Sequence, residues 1–180
     1  RDGLQIINSS AETAALAIRV KDSGGVYLVP AFTGLGAPYW DMYARGAIFG
    51  LTRAVTREHL VRAALESIAY QSFDVMDSMQ ADSGIKISHL RVDGGACAND
   101  FLMQFQADIA DCEVHRPGMI ESTAFGAAAL AGIAVGIWAN CTKACKNLSL
   151  DKIFAPKIDA DRRNIILKKW HEAVKRTINQ

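Results

Sequence analysis

The segment at residues 92–99, with the sequence VDGGACAN, contains the residue types and spacing best suited to binding a ligand. Gly94 and Gly95 have no side chains, so a ring or a phosphate group can approach the backbone closely there. Asn99 is a residue type that caps helices, and a helix starting at Asn99 would offer N–H groups and a favourable dipole to an anion. Ligand binding and a plain tight turn explain this spacing equally well.

Other short motifs point to no further chemistry. Gly34 and Gly36 lack the third glycine of a dinucleotide fingerprint, and the sequence contains no Walker A motif. Cys141 and Cys145 lack the second pair of ligands that a structural zinc site needs, so no metal site is predicted. Cys97, beside the glycine pair, is either a reactive thiol at a helix start or a small packed residue, and we expect the packed residue.

Strands alternate with helices around the segment 92–99. Hydrophobic alternation predicts a strand at 89–93, and a helix follows Asn99; the same order recurs with a strand at 112–116 and a helix at 123–135. The other predicted elements are a helix from Ser9 to the glycines at 24–25, strands at 26–32 and 47–51, a long helix at 56–79, and a last helix at 159–178 with a stripe formed by Ile166, Trp170, Val174 and Ile178. This order predicts a layered α/β domain.

An uncharged run at residues 124–141 is the most apolar part of the chain. It is shorter than the ~20 apolar residues that a membrane span needs, so we predict a buried helix and no membrane span. Gly132 and Gly136 are four residues apart, with Ala128 on the same stripe. This pattern favours close packing of the helix against a sheet, and a membrane dimer motif is the weaker alternative.

The composition is that of one globular domain. The chain has 180 residues, of which 50% are hydrophobic and 22% charged, with a net charge of +1. These values exclude disorder and make nucleic acid an unexpected partner. Four cysteines and no signal-peptide pattern predict reduced thiols and a cytoplasmic location. Because the chain begins at Arg1 inside an apparent helix end, we expect it to be part of a longer protein.

Three segments resemble the FGGY family of carbohydrate kinases. They are VPAFTGLGAPYWD at 29–41, ARGAIFGLT at 44–52 and RVDGGACAN at 91–99. The family signature joins GAIFGL at 46–51 to His59 and Leu60, followed by residues 63–66, and this sequence fits it throughout. The resemblance covers nearly the whole chain and is weakest at 142–150.

This resemblance implies an actin-like, ribonuclease-H-like fold of two domains, with MgATP and the substrate bound in the cleft between them. Residues 1–180 would be most of the C-terminal, nucleotide-side domain, incomplete at its N-terminal edge, with the N-terminal catalytic domain absent. By motif position, Gly95 and Asn99 are expected to contact ATP or ADP, with Gly94 and Ala96 as neighbours in the turn. No catalytic residue or metal ligand is expected in this chain, and Mg²⁺ would be held mainly by residues outside it.

The three segments are similar to those of family members that phosphorylate glycerol, so the resemblance implies ATP-dependent formation of glycerol 3-phosphate. A kinase for another polyol or a ketose, and an actin-like ATPase without an acceptor, are the alternatives. The resemblance also implies that the chain alone is inactive, that it works with the missing N-terminal domain, and that it forms a homo-oligomer. At the position after Asn99, the family often has a second amide side chain, whereas this sequence has Asp100. We expect this difference to weaken nucleotide binding, because it adds a negative charge near an anionic ligand.

Overall fold

The computed structural model describes residues 1–146 and 149–178, in which strands alternate with helices as predicted. The helices are α1 (Thr13–Ala17), α2 (Arg57–Ser83), α3 (Asp100–Ala110), α4 (Ser122–Ala134), α5 (Cys141–Cys145) and α6 (Ala160–Ile178). The strands are β1 (Tyr27–Val29), β2 (Ala47–Phe49), β3 (His89–Arg91), β4 (Glu113–Pro117) and β5 (Leu150–Phe154). Short 3-10 turns, Ser10–Glu12 and Gly95–Ala98, precede α1 and α3. The predicted α/β fold class is confirmed.

The strands form two separate sheets. β3 and β4 run parallel, with Leu90 opposite Val114, and α3 is the crossover that parallel neighbours require. β5 pairs with β4 in the antiparallel direction, with Phe154 opposite Val114, so the order of this sheet is β3-β4-β5. β1 and β2 form an antiparallel pair of their own. The loop that follows the carboxyl end of β3 therefore leads to the start of α3.

The long helix α2 confirms the helix predicted at 56–79. A capping box defines its first turn, because the Thr56 N–H donates to Nδ1 of His59 at 3.1 Å. The helix ends at Gly84, whose φ of 68° places it in the left-handed conformation that glycine adopts without strain. Val61, Leu65, Tyr70 and other residues spread over much of its circumference are buried, so this helix is surrounded by core contacts along much of its length.

Aromatic side chains from three helices meet at the centre of the core. Trp170 of α6 is fully buried and stacks on Tyr70 of α2, with ring centroids 5.0 Å apart. Phe105 of α3 meets the same tyrosine edge to face at 5.4 Å. Val174 is buried one turn beyond Trp170. The predicted apolar stripe of the last helix is thus confirmed as a core-facing stripe.

A buried carboxylate, Asp74 of α2, joins the core to a loop. It accepts hydrogen bonds from Tyr39 Oη at 2.8 Å and from Trp170 Nε1 at 2.7 Å, both on its Oδ2. Its Oδ1 accepts from His171 Nε2 at 2.9 Å. Asp74 is only 4% exposed, so three donors replace the water that the charge has lost. The cluster Tyr39–Asp74–Trp170–His171 holds the loop before β2 against α2 and α6.

We expect the stability given by His171 to depend on pH. The hydrogen bond to Asp74 raises the pKa of His171 above its usual 6.5. A raised pKa in the folded state means that the contribution is fully present below about 6.5 and is lost as the pH rises through the folded-state value. His171→Gln keeps a donor that does not titrate. The difference in melting temperature between the wild type and this variant should therefore decrease as the pH is raised from about 6 to about 9. A difference that does not change with pH would contradict the prediction.

Helix α4 is mostly exposed, so the prediction of a buried helix at 124–141 is wrong. Its buried residues are Ala129 and Gly132, whereas Leu130 is 65% exposed. Small apolar residues occur on every face of this helix, and such a pattern selects no single stripe for the core. Within the described ranges, no helix combines the length and the apolar character needed to cross a bilayer.

Gly132 of α4 and Gly136, two residues beyond the end of α4, contact none of the described strands, which corrects the second prediction for this helix. An added Cβ at Gly132 would overlap the indole ring of Trp138, so the close approach is to the same chain segment. Gly136, with φ of 80°, ends the helix. The N–H of Ile137 donates to the Gly132 carbonyl at 2.7 Å, and that of Gly136 to Ile133 at 3.1 Å. This pattern is a Schellman motif, in which a glycine closes the last turn.

The first helix and the region after α4 also differ from prediction. The helix predicted to run to the glycines at 24–25 ends at Ala17, and Ile18 is 69% exposed. β5 and α5 were not predicted, because the segment around them has neither clear alternation nor helical periodicity. Part of the stretch 142–150, where the family resemblance is weakest, lies outside the described residues, at 147 and 148.

Candidate functional site

The loop after β3 turns sharply at Gly94. This residue has φ of 76° and ψ of 172°, a conformation that side chains disfavour. Its N–H donates to the carbonyl of Ile120 at 2.7 Å, and the neighbouring Asp93 accepts from the hydroxyl of Ser122 at 2.6 Å. The turn is therefore tied to the start of α4, and the residues after Gly94 are held in a fixed position.

Asn99 caps α3, as the sequence predicts. Its Oδ1 accepts from the N–H of Leu102 at 3.0 Å, which satisfies one of the free N–H groups at the helix start. Its Nδ2 donates to Thr13 Oγ1 at 3.2 Å, and the Thr13 hydroxyl donates to the Ser10 carbonyl at 2.6 Å. This chain of hydrogen bonds joins the start of α3 to the first helix of the protein.

A cleft of about 670 Å³ opens where these two regions meet. Three of the four predicted site residues, Gly95, Ala96 and Asn99, line it, whereas Gly94 shapes the turn and is not part of the lining. The other lining residues come from α1 and the turn before it, from α2, and from α3 and the turn before it: Ser10, Ala11, Thr13, Ala14, Leu65, Ile68, Ala98 and Leu102.

The chemistry of this cleft suits a ligand with a flat apolar part and a few polar groups. Leu65, Ile68 and Leu102 offer apolar surface. Gly95 and Ala96 begin the 3-10 turn, so their N–H groups have no partner within the turn. The volume is within the range of roughly 300–1,000 Å³ usual for small-molecule sites. An added Cβ at Gly95 has no atom within 4 Å, so the backbone faces open space.

A cluster of four charged residues holds the turn from outside the cleft. Arg116 of β4 donates through Nη1 to Asp100 Oδ1 at 2.7 Å and through Nε to Asp151 Oδ2 at 2.8 Å. Lys152 of β5 donates to the second oxygen of Asp100 at 2.7 Å. The hydrogen bonds from Lys152 and Arg116 lower the pKa of Asp100.

The charge of Asp100 is thus paired with two cations, Arg116 and Lys152. Asp100 is the first residue of α3, where a carboxylate also interacts well with the helix dipole. Asp100 does not line the cleft. Asp100 therefore supports the turn, and the weaker nucleotide binding expected from its charge stays a prediction.

Cys97, in the middle of the turn, is a packed residue. Its side chain is 1% exposed, and burial raises the pKa of its thiol. A raised pKa keeps the sulfur in its unreactive protonated form. The structure thus favours the packed residue over the reactive thiol, in agreement with the sequence-based expectation.

Two other clefts in the described part of the chain contain none of the predicted site residues. One of about 490 Å³ is lined by Asp93, His115, Ser122 and other residues near β3 and β4. Another of about 520 Å³ lies beside a buried ion pair, in which Arg62 Nε is 2.8 Å from Glu66 Oε1. Within residues 1–146 and 149–178, no group of three or more His, Cys, Asp or Glu side chains could hold a metal ion.

Sequence reasoning did not identify the residues that α1, α2 and the preceding turn contribute to the cleft. Thr13 and Asn99 are 86 residues apart, yet they are hydrogen-bonded. Leu65 and Ile68 look like ordinary core positions of an amphipathic helix. A periodic pattern shows which face of a helix is apolar, but it does not show that part of this face lines a cleft.

Comparison with protein-family models gives a match over most of the chain. The model described as "FGGY family of carbohydrate kinases, C-terminal domain" matches residues 3–135. A glycerol kinase of Pseudothermotoga lettingae is 60% identical over 178 residues, covering 99% of this chain and 36% of the relative. Glycerol kinase 1 of Clostridium tetani is 57% identical over 179 residues, with the same coverage. The chain therefore spans about a third of the length of the curated relatives it matches.

Solved structures share this fold. The crystal structure of Plasmodium falciparum glycerol kinase with ADP matches with a TM-score of 0.85 and 38% identity, over 97% of this chain and 35% of that one. The gluconate kinase of Lactobacillus acidophilus matches with a TM-score of 0.78 over 97% of this chain and 36% of that one, at 22% identity. The second likeness, at such low identity, shows the fold alone.

Proposed function

Because the chain belongs to the FGGY family of carbohydrate kinases, we propose that it is most of the C-terminal, nucleotide-side domain of an ATP-dependent kinase acting on glycerol. The proposed reaction forms glycerol 3-phosphate and ADP. The identity to proteins named glycerol kinase, 57% to 60% over nearly the whole chain, supports glycerol as the acceptor. A likeness to a glycerol kinase solved with ADP supports a nucleotide as the other substrate.

The cleft beside the turn Gly95–Ala98 is the observation that carries this proposal. Its volume of about 670 Å³, its apolar wall and its bare backbone at Gly95 suit the adenosine part of ATP. In the proposed complex, the N–H groups of Gly95 and Ala96 and the side chain of Asn99 are the polar contacts. Gly94 gives the turn its shape.

The role proposed for this chain is to bind and orient the nucleotide and to close on the other domain. In phosphoryl transfer, an acceptor hydroxyl oxygen attacks the γ-phosphorus, ADP leaves and the hydroxyl proton passes to a base, and positioning supplies most of the catalysis. Closing the cleft would exclude water, which would otherwise hydrolyse ATP. Mg²⁺ would shield phosphate charge. We propose, from the family resemblance, that the residues holding Mg²⁺ lie mainly outside this chain.

The proposed partners are the N-terminal domain of the same enzyme and a second copy of the protein. Exposed apolar side chains support the existence of further contacts. In the loop before β2, Phe32, Trp40 and Tyr43 are 78%, 79% and 81% exposed. Large exposed aromatic groups of this kind are typical of surfaces that other chains or domains cover. A cytoplasmic location, where ATP is available, is part of the same proposal.

The test is ADP release by the full-length protein with MgATP and different acceptors. We expect glycerol to raise the rate well above that without acceptor, and ribitol or xylulose to raise it little. A rise mainly with another polyol would keep the family and change the substrate. A rate that no acceptor changes would contradict the kinase proposal and favour an actin-like ATPase.

A further inference from the structure

We propose that Arg116 is a positioning residue that sets nucleotide affinity by fixing the turn Gly95–Ala98, an inference that rests on the proposed function. Nη1 of Arg116 donates to the carbonyl oxygen of Cys97 at 3.0 Å. Cys97 directly follows Gly95 and Ala96, which line the cleft. Arg116 is not among the described residues lining the cleft, so it acts on a bound nucleotide through the turn.

The guanidinium group holds both ends of the segment 97–100. The same Nη1 that contacts the Cys97 carbonyl also donates to Asp100 at 2.7 Å. Asp100 directly follows Asn99, the capping residue proposed to contact the nucleotide. A shift of this segment would therefore move Gly95, Ala96 and Asn99 together. Positions of this kind affect affinity strongly, because a displacement of about 1 Å breaks contacts that depend on orientation.

The other side of Arg116 is anchored on the sheet. Its Nε and Nη2 both lie 2.8 Å from Asp151 Oδ2 on β5, and its guanidinium lies 5.3 Å from the ring centre of Phe154. Arg116 lies on β4, which is paired on both sides. The side chain is 12% exposed, so water does not compete strongly for its donors. Only arginine offers a planar fork of donors able to reach all three partners.

The experiment compares two arginine variants of the full-length enzyme. Arg116→Met removes the proposed contacts. Arg163→Met is the matched control, because Arg163 is 16% exposed and forms one ion pair, to Asp111 at 2.7 Å, away from the cleft. We expect Arg116→Met to raise KM for ATP and Kd for a fluorescent ADP analogue about five- to tenfold, with KM for glycerol unchanged. We expect Arg163→Met to leave all three values near those of the wild type.

Arg116→Lys serves as the conservative variant. A lysine keeps the charge and one contact but not the fork, so its nucleotide affinity should lie between those of the wild type and Arg116→Met. It also gives the answer if Arg116→Met does not fold. The proposal is overturned if the substitutions at Arg116 leave nucleotide affinity unchanged, or if both KM values rise equally. A wild type that binds the ADP analogue but does not phosphorylate glycerol would contradict the proposed acceptor alone, and the Kd comparison would still test Arg116.

Discussion

Replacing Gly95 with valine should weaken nucleotide binding by about 10- to 100-fold while the protein still folds. An added Cβ at Gly95 meets no atom within 4 Å, so the folded chain has room for it. Gly95 is also not among the glycines with positive φ, so a side chain introduces no backbone strain. The new side chain would instead occupy space that the proposed nucleotide needs. The measurement is Kd for ADP and KM for ATP, together with the melting temperature.

Two further variants make the Gly95 experiment decisive. Gly95→Ala adds one carbon and should have a smaller effect than valine, because it fills less of the cleft. Gly126→Val is the matched control, since Gly126 also has no atom near its added Cβ but lies on α4 outside the cleft. If Gly95→Val binds ADP as the wild type does, the cleft beside the turn is not the nucleotide site.

Replacing Asp74 with alanine should lower the free energy of unfolding by about 3–5 kcal/mol. The substitution removes the acceptor for Tyr39, Trp170 and His171 in one step. The indole N–H of Trp170 would then be buried without a partner, because Trp170 is fully buried. The loop before β2 would also lose its polar contact with α2. Chemical denaturation of the full-length protein, with a probe in this domain such as tryptophan fluorescence, would measure the change.

The matched control for Asp74 is Asp82→Ala on the same helix. Asp82 is exposed, and exposed substitutions usually change stability by less than about 0.5 kcal/mol. Asp74→Asn, which keeps one acceptor oxygen, should fall between the alanine variant and the wild type. Similar losses for Asp74→Ala and Asp82→Ala would show that the three donors find other partners.

Elements with a strong local signal were predictable. The long helix α2 has many turns of consistent periodicity, so its type and approximate bounds followed from the residues. The apolar stripe that contains Trp170 and Val174 likewise predicted a helix facing the core, and both residues are buried. By contrast, β5 and α5 have five residues each. In so short a segment few positions repeat, and contacts with the rest of the chain determine the conformation.

The alanine-rich helix shows where local reasoning failed. Its apolar composition predicted burial, but Leu130 and Val135 are 65% and 75% exposed. Composition reports how favourable burial would be, but not whether another element is available to cover the helix. The partner found for Gly132 was Trp138, six residues further along the chain. No periodicity in the sequence distinguishes that contact from packing on a sheet.

For the candidate site, the glycine pair and Asn99 were recognisable from the residues, because a bare backbone and a capping amide are local properties of a strand–turn–helix unit. The family could also be recognised from short sequence motifs. The residues that form the walls of the cleft and those that support its turn could not be recognised from the sequence, because Thr13 and Arg116 contact the turn from distant parts of the chain. The same holds for Asp100, whose ion pairs with Arg116 and Lys152 join it to residues 16 and 52 positions further along the chain. Local conformation follows from neighbouring residues, whereas compensation of charge and the shape of a cleft depend on which distant residues the fold brings together.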